Sequence, residues 1–156
     1  MPLRRLVLLS PVVFTLHALE EFPGFVAWFN SLVPRGITRR AFLAVNAVAL
    51  AITLCVALLI AARPGPAPAL LLAAWVGFLM LANGLLHLVG TIALARYAPG
   101  VVTGTLLYLP YGAILLRKIV RELGLKPGVV AGTAAAAGVP MLVHGYLILF
   151  RASRLF

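Results

Sequence analysis

Four apolar stretches decide the surroundings of this chain before any residue is considered for chemistry. They run near Ala41–Ala62, Ala69–Ala95, Val101–Leu123 and Val129–Phe150. The hydrocarbon core of a bilayer is about 30 Å thick, and a helix crosses it with roughly 20 apolar residues. Each stretch reaches that length. A shorter one, Leu3–Glu21, ends on two glutamates. With 63% hydrophobic and only 10% charged residues, an ordinary soluble domain is excluded. The expected fold is all-α: a polytopic membrane helix bundle, one domain over 1–156. Its five transmembrane helices fall at about 3–21, 39–62, 68–95, 101–123 and 128–150. Arg4 and Arg5 before an apolar run resemble a signal peptide, but no small-x-small cleavage site follows. The first stretch is therefore read as a retained span.

The connections carry turn chemistry. Phe22-Pro23-Gly24 interrupts the first helix. The segment 24–33 is too short to span. With Phe25, Trp28 and Phe29 it suits a short interfacial helix whose aromatics sit among headgroups. Thr38 is positioned to cap the second span. Arg63–Pro68 reads as a stiff linker, and Ala98-Pro99-Gly100 as a tight turn. Gly100/Gly104 and Gly128/Gly132 have the spacing that lets helices approach closely. Cys55 stands alone in an apolar run, so there is no disulfide or CxxC framework, and it reads as a packed small hydrophobe.

The net charge of +10 does not indicate nucleic acid. The cations gather at helix ends, where lipid headgroups lie, and no basic stripe with interleaved aromatics occurs. With five spans, Arg4, Arg5, Arg63, Arg117, Lys118, Arg121 and Lys126 share the N-terminal side. Arg35, Arg39, Arg40, Arg96, Arg151 and Arg154 share the other. The positive-inside rule then places the N-terminus in the cytoplasm. Eleven arginines against two lysines, with abundant Ala, Gly and Pro, suggest a GC-rich bacterium and hence a bacterial cytoplasmic membrane.

Against this apolar background, the titratable groups form a layer. Two of the three acids sit in His17-Ala18-Leu19-Glu20-Glu21. Ionisable residues inside a membrane are costly and tend to mark function. Counted from the nearest helix end, His17, Asn46, His87, Tyr108 and His144 all lie roughly 9–14 Å below one face at 1.5 Å per residue. Relative to His17, Glu20 lies at about −60° and Glu21 at about +40° around the helix. Asn83 and His87 share one face of the third span, and Tyr108 and Tyr111 share one face of the fourth. Pro110 and Pro140 each free a carbonyl one turn earlier, which buried helices accept beside a neighbour or cavity. Glu122 beside Lys118 reads as a surface ion pair.

Imidazoles with carboxylates suit a catalytic zinc ion, or iron. The candidate metal ligands are His17, Glu21, His87 and His144. Glu20 and Glu21 are the candidate acid/base groups, with Asn83 and Tyr108 as further catalytic candidates. The pentad also resembles the signature of the HXXEE family of small prokaryotic integral membrane proteins. Asn83-Gly84-Leu85-Leu86-His87 and Arg96-Tyr97-Ala98-Pro99-Gly100-Val101-Val102-Thr103 fit the same resemblance, which covers about Val12 to Leu116. It implies a site at His17, Glu20 and Glu21 and no particular reaction.

The functional expectation is a membrane-embedded, metal-dependent enzyme, hydrolytic, acting on a lipid-like or apolar substrate. A metal-free acid/base isomerase or cyclase of an isoprenoid-type lipid is the second reading, and a proton or metal-ion transporter the third. A conduit would need polar residues at several depths, which the opposite half of each span lacks. A scaffold without chemistry leaves the shared level of histidines and carboxylates unexplained. The sequence sets no oligomeric state.

Overall fold

The computed structural model describes residues 1–153 and Leu155, so Arg154 of the charge count lies outside the described residues. Among these there are six helical rods and no strand. They are α1 (residues 3–21), α2 (Phe25–Asn30), α3 (Arg39–Ala62), α4 (Pro66–Ala93), α5 (residues 101–123) and α6 (Pro127–Arg151). The boundaries follow local chemistry. Thr38 accepts from the Ala41 amide at 3.1 Å and caps α3, as its position suggested. Pro66 and Pro127 occupy first turns, where a missing N–H costs nothing. The linker before α4 is therefore shorter than expected, because Pro66-Ala67-Pro68 belongs to the helix.

Among the described residues, three helices are long and apolar enough to cross a membrane: α3, α4 and α6. That number corrects the five expected. Residues 3–21 include Arg4, Arg5, Glu20 and Glu21 within a short rod. Residues 101–123 end in Arg117, Lys118, Arg121 and Glu122. Three such helices are consistent with a membrane protein. So is the outer surface, where Val45, Val48 and Leu58 of α3 are each more than half exposed. Cys55 is also exposed, not packed.

The central rod is α4, half of whose apolar window is buried. Glycines make this packing possible. A Cβ on Gly77 would strike the Ala134 backbone of α6, and one on Gly84 would lie 3.0 Å from the Gly104 carbonyl of α5. Gly104 thus serves a close crossing, whereas Gly128 and Gly132 face open space. Two π-helical segments, at Val76–Ala82 in α4 and Gly104–Tyr108 in α5, lie just before Asn83 and Pro110. Such wide turns recur at functional sites.

α1 and α5 run antiparallel and cap each other. Glu122, near the end of α5, accepts from the Leu3 amide at 2.7 Å and also pairs with Lys118. Glu20, near the end of α1, receives the first amides of α5. Each carboxylate meets the positive end of its neighbour's helix dipole. The expected short helix forms as α2, but two of its aromatics are not exposed. Its Trp28 and Phe29 are buried with Val33, Ala98 and Ile148, so it closes one end of the bundle from inside.

Candidate metal centre and its cavity

His17 and Glu21 stand one turn apart on α1, and His87 faces them from α4. One ligand atom from each lies within 4.8 Å of the others, and all three residues are buried. His87 Nε2 is 3.0 Å from Glu21 Oε1, and His17 Nε2 is 3.6 Å from the same oxygen. The 3.0 Å approach lacks hydrogen-bond alignment, since neither ring nitrogen of His87 has a hydrogen-bond partner. Among the described residues, the ion-pair partners of Glu21 are these two imidazoles. An isolated carboxylate in such a place is expensive.

Surrounding groups fix the ligands. Tyr108 stacks on the His17 ring at 4.1 Å between centroids, and the two imidazoles meet edge-on at 5.1 Å. Asn83 Nδ2 lies 3.1 Å from His17 Nε2. On the other side of the ring, His17 Nδ1 lies 2.8 Å from Thr103 Oγ1. Gly100, with φ of +102°, seats the α5 turn against both imidazoles. A Cβ there would lie 2.8 Å from His87 Cε1 and 2.9 Å from His17 Cε1.

Glu20 does not join this cluster. Its oxygens accept from the amides of Gly100, Val102 and Thr103, from the Thr103 hydroxyl and from the Tyr97 hydroxyl. These five donors tie Glu20, expected as an acid/base group, to the start of α5. Partial burial, with the hydrogen bond to Glu20, pushes the Tyr97 phenol up to about 12, so it remains a donor.

A cavity of about 350 Å³ opens beside the cluster. His17, Glu21, Asn83 and Tyr108 form its polar wall, and Phe25, Trp28, Phe42 and Phe78 contribute to an aromatic lining. Asn46 and His144 also line it. Of the five polar residues expected at one depth, His17, Asn46, Tyr108 and His144 share this space, whereas His87 sits behind Glu21 and is not part of the lining. His144 is nevertheless outside the three-residue ligand group. It stacks beside Phe29 and accepts from the Leu155 amide. Asn46 donates to the Phe42 carbonyl of its own helix. Tyr111 ties α5 to Ser10 and the Leu6 carbonyl of α1, away from the cavity. Thr103, Gly100 and Tyr97 were missed as functional residues. Thr103 and Tyr97 had as signal their place in the Arg96–Thr103 segment that carried the family resemblance, and Gly100 was read only as a turn and close-approach glycine.

The family described as "Protein of unknown function with HXXEE motif" matches residues 8–115, and the chain belongs to it. No curated protein and no solved structure matches.

Proposed function

We propose that this HXXEE-family chain is a membrane-embedded, metal-dependent enzyme acting on a lipid-like substrate. His17, Glu21 and His87 hold a zinc ion, with iron as the alternative, and the cavity holds the substrate's apolar part. One observation carries this reading: three ligand atoms from two helices converge on a buried point, with no Lys or Arg partner among the described residues. Bonds of about 2.0–2.1 Å at a tetrahedral angle separate neighbouring ligand atoms by roughly 3.3 Å. The observed 3.0 and 3.6 Å bracket that separation. Three protein ligands and one open position are the pattern of a catalytic zinc site. When bound, zinc supplies Lewis acidity and an activated water, which suits hydrolysis.

The chain's own residues prepare the site. Tyr108 and Thr103 hold the His17 ring from its face and its edge. The Asn83 amide lies 3.1 Å from the nitrogen that would hold a cation, and with that nitrogen engaged it would be available to orient a ligand in the cavity. The aromatic lining excludes bulk water and favours an apolar chain. Alongside α3, α4 and α6, α1 also presents an apolar face to its surroundings. Leu8, Val12, Leu16 and Leu19 support this by forming an exposed apolar stripe along α1. The cation count supports a cytoplasmic N-terminus.

Elemental analysis of detergent-purified protein tests the metal. About one zinc or iron per chain is expected, lost in His17→Ala and His87→Ala and kept in His144→Ala. Protein that carries no metal and takes up none overturns the reading. Chelator-sensitive cleavage of neutral lipid esters in mixed micelles tests the reaction class.

The 3.0 Å His87–Glu21 approach also favours a second reading, in which these two groups give protons to and take them from a substrate in a metal-free isomerase or cyclase. The metal measurement separates the two. Proton or metal flux in liposomes, without turnover, would favour transport.

A further inference from the structure

His17 faces the cluster through Nε2 and the start of α5 through Nδ1. The Nδ1 atom lies 2.8 Å from Thr103 Oγ1, and that hydroxyl in turn bonds to Glu20 Oε2. A hydroxyl has one proton to give, and a carboxylate can only accept. Thr103 therefore donates to Glu20 and must accept from the imidazole. Glu20 cannot turn away, because three backbone amides and the Tyr97 hydroxyl hold it. The hydrogen of a neutral His17 is thereby placed on Nδ1, and the lone pair on Nε2. Asn83 gives an independent sign of the same state. Its amide nitrogen, 3.1 Å from Nε2, has only hydrogens to offer.

We propose that Thr103, anchored by Glu20, is a positioning residue that holds His17 in its Nδ1–H tautomer and presents the Nε2 lone pair to Glu21 and His87. The purpose of this lock rests on the metal reading above. The tautomer itself follows from the hydrogen bonds alone. It also gives the first glutamate of the motif a role. Glu21 enters the cluster, while Glu20 organises the group that orients the cluster's histidine. Outer partners of this kind, which fix a ligand's tautomer and ring orientation, are worth about 10–100-fold in metal affinity.

Ring ¹H–¹⁵N NMR of histidine-labelled, metal-free protein in micelles reads the tautomer, with His17→Gln to assign the signals. Wild type and Thr103→Ser should show His17 protonated at Nδ1 and bare at Nε2. Thr103→Val keeps the volume but offers no acceptor, and should shift the ring toward the other tautomer. Zinc affinity should fall about 10–100-fold in Thr103→Val and stay near wild type in Thr103→Ser. Thr103→Ala, which removes the same hydroxyl, replaces valine where that variant fails to fold. An Nε2–H ring in the wild type overturns the proposal, as does a valine variant with unchanged tautomer and zinc affinity. Wild type that binds no zinc yet shows the Nδ1–H ring sinks the metal reading and upholds the tautomer lock.

Discussion

Substituting Gly100 with alanine should damage both stability and metal binding, and the structure gives the size of each part. Its φ of +102° lies where side chains rarely sit. Placing a non-glycine residue in the left-handed region costs about 1–2 kcal/mol. The new Cβ would also press on His87 Cε1 at 2.8 Å, His17 Cε1 at 2.9 Å and His87 Nδ1 at 3.0 Å. These are not flexible side-chain ends. His17 is pinned by Thr103, Asn83 and Tyr108, and Phe25 lies edge-on to His87. Overpacking of this kind costs roughly 1–3 kcal/mol. The two parts sum to about 2–5 kcal/mol, or a Tm lowered by roughly 4–20 °C at about 2–4 °C per kcal/mol. Gly124 is the natural control. Its φ is +67°, and nothing lies within 4 Å of its Cβ position. Gly124→Ala should lose only the backbone part, about 1–2 kcal/mol, and bind zinc normally. Thermal unfolding in detergent and zinc titration compare the two variants. Equal losses of Tm with unchanged zinc affinity in both would refute the claim that Gly100 seats the imidazoles.

The two capping carboxylates should differ in importance. Glu20→Ala strands several partly buried donors and should cost upwards of about 3 kcal/mol in chemical unfolding, because hydrogen bonds to a charged group are worth roughly 1.5–3 kcal/mol each and add incompletely. Glu122→Ala removes an exposed pair and a single amide contact and should cost less than about 1 kcal/mol in the same assay. Gly77→Ala should be severely destabilising, because its Cβ meets the Ala134 backbone, whereas Gly132→Ala, facing open space, should leave Tm nearly unchanged. Tyr108→Phe should be neutral or slightly stabilising, because the wild-type hydroxyl is buried without a hydrogen-bond partner. A large loss of Tm there would show that the hydroxyl is engaged.

Composition and periodicity determined the helical class, the apolar surroundings and the common depth of the polar residues. Each depends on counting along a single helix, where rise and turn angle are fixed. The pairing of His17 with Glu21 was legible for the same reason, since residues four apart lie on one face. That His87 would join them was expected, but that His144 would stay outside was not. His87 and His144 had equal standing by depth, and the packing of α4 against α1 and α5, made close by Gly84 and Gly104, brought His87 to the carboxylate. The fate of Glu20 was equally hidden. In sequence it is an acid beside an acid, and only the antiparallel placement of α5 gives it five donors. Likewise Trp28 and Phe29 read as headgroup aromatics until the fold of α2 turned them inward to cover the cavity. Spacing along one helix is local geometry and is written in the chain. The partner a side chain meets across helices is set by close packing of the whole bundle, which no single segment encodes.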